Sequence, residues 1–226
     1  MRIVPLPPKI LACRDLPAAD AALLRAFGID PERFGSLGLL TCDQDDSLYA
    51  ALDYATKFAD VQVMFARSFY AGSGHASGPF SGEILGILGA VEPESVQQGL
   101  LAARRALQEE ICFFQAAEGG PAFFPHVIPE TGTYLSKEAG IAPGQPMAYL
   151  IAPPLEATVG LDAALKAADV RLVRHFPPPT ETNFAGGYLS GELPALEAAA
   201  RAFTDAVLDV AARPHAAFRR SGDARW

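Results

Sequence analysis

The chain repeats itself. Residues 52–61 read LDYATKFADV and residues 161–170 read LDAALKAADV, seven of ten positions identical at a constant offset of 109. A repeat on this scale constrains the fold more than any local motif, because each copy must build the same supersecondary unit. Upstream, LGLLTC at 37–42 faces MAYLIA at 147–152; downstream, VQVMFA at 61–66 faces VRLVRH at 170–175. These apolar runs predict buried strands. Between them Leu48, Ala51, Leu52 and Ala55, and in the second copy Leu161, Ala164, Leu165 and Ala168, follow the i, i+3, i+4, i+7 spacing of one helical face. Further on, GILG at 86–89 matches GYLS at 187–190, and Pro93 matches Pro194 as the opening of a second helix over 94–110 and 195–211. Proline suits that first turn, where its missing N–H is not needed. The offset has fallen to 101 here, so copy one holds about eight extra residues within the glycine-rich stretch 70–82.

Each copy therefore reads strand, helix, strand, loop, strand, helix. A further strand is available from the segment before it, 3–13 in copy one and 122–128 in copy two. This predicts an α+β protein of two tandem units, 1–118 and 119–226, each an antiparallel-type sheet packed with helices.

Composition excludes several classes of function. Half of the 226 residues are hydrophobic and 19% are charged, which predicts a globular chain. A net charge of -8 argues against nucleic acid and anionic membrane surfaces as partners. The longest uncharged apolar stretch is interrupted by Pro143, Pro146, Pro153 and Pro154, so no membrane span is expected. Pro5, Pro7, Pro8 and Lys9 break what would be the apolar region of a signal peptide, and the expected location is cytoplasmic. Cys13, Cys42 and Cys112 have neither disulfide-framework nor zinc-site spacing and read as buried thiols. Walker, nucleophile-elbow and zincin motifs do not occur in the sequence.

Polar residues concentrate in three places. Asp43, Asp45 and Asp46 crowd the end of the first repeat strand, where copy two has Ala152, Pro154 and Leu155. One aspartate suffices to cap a helix, worth about 1 kcal/mol; three point to a cation or amine site, which Glu83 on the third strand can complete. An EF-hand is excluded because the glycine its turn requires is missing. The second place is the loop FYAGSGHASGP, 69–79, whose glycines approximate a dinucleotide fingerprint but lead into a strand rather than a helix. The third is its counterpart HFPPPTETNFAGG, 175–187, stiffened by prolines and carrying Thr180, Glu181, Thr182 and Asn183. His75 and His175 belong to these loops without forming a ligand set, and no metal is assigned. His126 and His215 read as structural. The tail FRRSGDARW, 218–226, is a frayed terminus or a contact with another protein.

Five segments, taken in order, carry a resemblance: SLGLLTCDQDDSLYAALDYATK, RSFYAGSGH, MAYLIAPPLEATVGLDAALKAADV, PPPTETNF and FTDAVLDVA. Together they resemble the tandem-domain trimeric shell proteins of bacterial microcompartments, specifically the ethanolamine-utilization type. The resemblance implies two circularly permuted shell domains per chain, a homotrimer that imitates a hexamer, and discs that tile with other shell proteins into the compartment wall. It implies a structural protein rather than an enzyme, with no cofactor. It places Lys57 and Lys166 at the tile edge and assigns Asp45, Asp46, Glu83 and Phe113 or Phe114 to a small-molecule site for an ethanolamine-like amine. It also lines a gated central pore with two loops, Phe69, Tyr70, Gly72, Gly74 and His75 in one and Pro178, Thr180, Glu181, Thr182 and Asn183 in the other. Two alternatives stay open: a soluble small-molecule sensor of two ferredoxin-like units, and a metal-dependent lyase or hydrolase working through the acidic cluster.

Overall fold

The structure, a computed structural model, describes residues 2–69, 83–117, 119–178, 180 and 182–216. The first half runs β1 (Ile3–Leu6), β2 (Ile10–Leu16), α1 (Ala21–Ala26), β3 (Ser36–Cys42), α2 (Asp45–Phe58), β4 (Gln62–Phe69), β5 (Glu83–Ala90), α3 (Pro93–Glu109) and β6 (Phe113–Ala116). The second half runs β7 (Ala122–Ile128), α4 (Thr133–Ala139), β8 (Met147–Ala152), α5 (Pro154–Ala167), β9 (Val170–Phe176), β10 (Ala185–Gly191) and α6 (Leu193–Ala212). The chain is α+β, with two antiparallel sheets in the orders β2-β3-β5-β4 and β1-β6-β7-β8-β10-β9.

The repeat is visible in the strand registers. Leu40 pairs with Gly86, and Gly86 with Ala66; in the other sheet Leu150 pairs with Gly187, and Gly187 with His175. The helical faces follow from the spacing of apolar side chains. Leu48, Ala51, Leu52 and Ala55 of α2 are all fully buried, with Asp45 and Asp46 in the first turn and Lys57 in the last, the arrangement that favours the helix dipole. In α5 the periodicity is only partly realised, for Leu161 and Ala164 are buried whereas Leu165 is 38% exposed.

The single strand expected over 3–13 is two strands in different sheets. Pro7 and Pro8 lie between them, and proline has no N–H to give to a ladder. The chain therefore leaves β6 after Leu6 and joins β3 from Ile10. Because β1 pairs with β6 and β6 with β7, the first half contributes two strands to the second sheet. The apolar core crosses the same seam: Leu48, Leu52, Val96 and Leu107 share one cluster with Phe124, Leu135, Tyr149 and Tyr188. No helix among the described residues is long and apolar enough to cross a membrane.

A polar joint fixes the seam. Asp53 of α2 is buried, and its two carboxylate oxygens accept the backbone N–H groups of Gly132 and Leu135 at the start of α4, each at 2.7 Å. Beside it, Thr56 Oγ1 accepts the Thr133 amide at 3.0 Å. The N-terminus of α4 is thus capped by side chains of another helix.

Candidate functional site

A cavity of about 280 Å³ opens where α2 meets the second sheet. Asp45 and Asp46 enter it from the first turn of α2, and Tyr149, Arg174, Phe176 and Tyr188 line it from β8, β9 and β10. Asp45 accepts the backbone N–H of Asp46 at 2.9 Å, and Asp46, almost fully buried, accepts the Tyr149 hydroxyl. Burial, and then the charge of Asp46, hold the Tyr149 phenol well above its ordinary value. It stays protonated and donates to the carboxylate. Burial raises Tyr188 in the same way, and its ring meets Tyr149 and Phe176 edge-on at 4.6 and 4.9 Å.

The remaining charge is arranged around this aromatic wall. Arg174 pairs with Glu138 at 2.6 Å and lies over the Phe176 ring. Three carboxylates against one guanidinium leave the lining net negative. The loop before β10 closes one side: Thr180 donates its hydroxyl to the Phe184 carbonyl at 2.7 Å, and the Asn183 amide reaches the Thr180 carbonyl at 3.2 Å. Asn183 takes the left-handed conformation at φ 60°, which asparagine tolerates better than most residues. Thr180, Thr182 and Phe184 are thereby presented to the cavity.

The residues singled out in the sequence fall as follows. Asp45 and Asp46 share the cavity, whereas Asp43 turns away and accepts the Lys9 amide at 2.7 Å. Glu83 begins β5 opposite Phe69, next to the Ile84–Cys42 pair, so its backbone lies at the sheet end from which α2 starts. The Glu83 side chain lies outside the described residues, as do Tyr70, Gly72, Gly74, His75 and Glu181. Phe113 is buried behind the cavity wall, stacked on Phe124 at 4.9 Å and edge-on to Phe184 at 5.9 Å, while Phe114 turns to Phe123. Phe69, Pro178 and His175 are exposed. Lys57 donates to the Glu130 carbonyl at 2.9 Å and lies over the Tyr54 ring, whereas Lys166 pairs with Asp162 on its own helix. Sequence reasoning missed the second-half wall, Tyr149, Arg174, Phe176, Phe184 and Tyr188, whose residue types read as ordinary strand and loop positions.

No family model matches the chain. It is 47% identical to the bacterial microcompartment shell protein EutL of Salmonella typhimurium over 208 residues, covering 92% of this chain and 94% of that one. The chain belongs to the EutL family of microcompartment shell proteins. EutL of Clostridium perfringens is 45% identical over the same share of this chain and 95% of its own. Among solved structures, ethanolamine utilization protein EutL from Leptotrichia buccalis superposes with a TM-score of 0.89 at 47% identity, covering 95% of this chain and 99% of that one. The trimeric shell protein PduB shares the fold at a TM-score of 0.76 and 18% identity, covering 90% of this chain and 89% of its own. Membership of the EutL family gives the chain a structural role in a microcompartment shell.

In this EutL-family chain His126 is expected to make the seam sensitive to acid. His126 is half-buried, stacked on Phe124 at 5.2 Å, and burial followed by the nearby Lys57 charge holds its imidazole down at about 4 from the usual 6.5. A depressed folded value means that the stabilisation is complete above pH 6.5 and is lost as the pH falls from there through 4. Between pH 7 and 4.5 the loss from this group is expected to be about 2 kcal/mol. Urea unfolding of His126→Gln at both pH values checks this, since the variant's pH dependence should be smaller by that amount.

Proposed function

We propose that the chain works as one third of a trimeric, hexagon-like shell tile, and that each chain holds one small organic ammonium compound of the ethanolamine type. The observation that carries the ligand reading is the pairing of Asp45 and Asp46 with an aromatic wall and two threonine hydroxyls around a single cavity. A primary ammonium is matched by the carboxylates and by the ring faces, and an alcohol group by Thr180 or Thr182. The volume lies just below the ~300–1,000 Å³ typical of ligand sites, which suits a molecule of a few heavy atoms.

The assembly reading rests on the two repeats per chain: six similar units close a ring, and three chains supply them. In such a ring the two loops, 69–79 and 175–187, frame the central opening and form its gate, and Lys57 and Lys166 lie on the rim where tiles meet. Light scattering should give the mass of three 23.9 kDa chains. Calorimetry with ethanolamine should show one site per chain, weakened at least about tenfold in Asp46→Asn, the loss of one charge-assisted bond. A stable monomer overturns the tile, and unchanged affinity in Asp46→Asn overturns the site.

A further inference from the structure

The acidic cavity draws its carboxylates from two helices. Asp45 and Asp46 come from the first turn of α2, and Glu138 from α4. Different tyrosines of the wall register the two groups. Burial raises both the Tyr134 and the Tyr188 phenol; the Glu138 charge adds to this at Tyr134 and the Asp46 charge at Tyr188. Three carboxylates around about 280 Å³ would, by themselves, suit a ligand with two positive charges as well as a ligand with one.

Arg174 of β9 changes that balance. Its Nη1 donates to Glu138 Oε2 at 2.6 Å and to the Glu138 carbonyl at 2.8 Å, so one nitrogen ties the guanidinium to α4 twice. The Phe176 ring holds it from the other side, 5.5 Å from the ring centre. From this position its charge opposes that of Glu138 at Tyr134 and that of Asp46 at Tyr188. Glu138 thus carries its own counter-charge within the lining. An ammonium held at Asp45 and Asp46 is still met by a net negative wall, but a second ammonium on the same small molecule must share the cavity with a fixed guanidinium.

The repeat shows that this arginine is not what the strand position itself requires. At the offset of 109, Arg174 corresponds to Phe65 and Phe176 to Arg67. Each copy lays its arginine over its phenylalanine, at 5.9 Å in copy one and 5.5 Å in copy two. The same cation–π pair is built with its members exchanged, and the exchanged pair is the one that lines the acidic cavity.

We propose that Arg174 is a specificity-determining residue of the amine site, restricting it to ligands with one ammonium group and rejecting short diamines by neutralising Glu138 and repelling a second positive charge. The proposal rests on the small-ammonium reading above and adds the rule by which the site tells a monoamine from a diamine. The test compares ethanolamine with ethylenediamine, which replaces the hydroxyl by a second amine at equal size, by calorimetry on the full chain at low salt and at a pH where both amines of the diamine are protonated. The wild type is expected to prefer ethanolamine. Arg174→Gln is expected to shift the affinity ratio toward ethylenediamine by at least about fivefold, and Arg174→Lys, which keeps the charge, to stay near the wild-type ratio. Glu138→Gln leaves the guanidinium without its counter-charge and is expected to move the ratio the opposite way. A wild type that prefers the diamine, or an Arg174→Gln variant that loses affinity equally for both amines, overturns this role and leaves the ammonium site standing. Absence of ethanolamine binding to the wild type overturns the ammonium site and this inference together.

Discussion

Gly186→Ala is expected to lower the stability of the chain by about 4 kcal/mol. A Cβ at Gly186 would stand 1.9 Å from the carbonyl oxygen of Leu150 and 2.8 Å from Ile151 Cδ1. A flexible side-chain end can swing away from such a contact, but a carbonyl in a paired strand moves only with its strand. Here β8 is held on both sides, by β7 and by β10, and β10 is itself paired to β9. Relief of the clash must break the Gly186–Ile151 region of the ladder. The damage reaches the acidic cavity, since Phe184 lies two residues before Gly186 and Tyr188 two after it, and both line that cavity. Urea unfolding should show the loss at an unchanged m value, and the variant that does fold should bind ethanolamine more weakly. Gly35→Ala is the control: nothing lies within 4 Å of its Cβ, and its cost should stay below about 0.5 kcal/mol. A loss of under about 1 kcal/mol in Gly186→Ala would mean that β8 and β10 separate more easily than their pairing implies.

The long amphipathic helices and central strands of both copies were legible because each repeats its spacing twice, so that α2 and α5 or β3 and β8 support one another. The short helices α1 and α4 were not, for six or seven residues cannot show a helical period, and α4 takes its cap from Asp53, 79 positions before Gly132. A signal for both did exist, for Pro17, Leu23, Gly28, Ile29 and Pro31 recur as Pro129, Leu135, Gly140, Ile141 and Pro143 at an offset of 112. The acidic side of the cavity was legible from the density of aspartates after β3. Its aromatic side was hidden because Tyr149, Phe176 and Tyr188 sit within strands as core residues do, and only the folded chain brings them to one cavity with Asp46. Leu165 shows the converse case. Periodicity groups it with Leu161 and Ala164, yet it is 38% exposed while they are buried.

Asp53→Ala should cost about 3 kcal/mol, and the same substitution at its repeat twin Asp162 should cost less than about 0.5 kcal/mol. The two aspartates stand at the same position of the same LD motif, on helices that begin at corresponding residues. Their surroundings decide the difference. Asp53 is 1% exposed and satisfies the Gly132 and Leu135 amides, so its removal leaves two N–H groups without an acceptor at a buried helix end. Asp162 is largely exposed and pairs with Lys166, a contact that water and salt screen. The Gly132 backbone is packed closely against α2, since a Cβ added there would stand 2.2 Å from Thr56 Oγ1 and 2.4 Å from the Asp53 carbonyl oxygen. Asp53→Asn keeps one accepting oxygen and should recover about half of the loss. Equilibrium unfolding measures the cost, and hydrogen exchange locates it: in Asp53→Ala the amides of α4 should exchange faster while those of α5 and α6 keep their protection. Equal losses at positions 53 and 162 would contradict the capping argument, since helix propensity, the one factor the two sites share, would then be the whole effect.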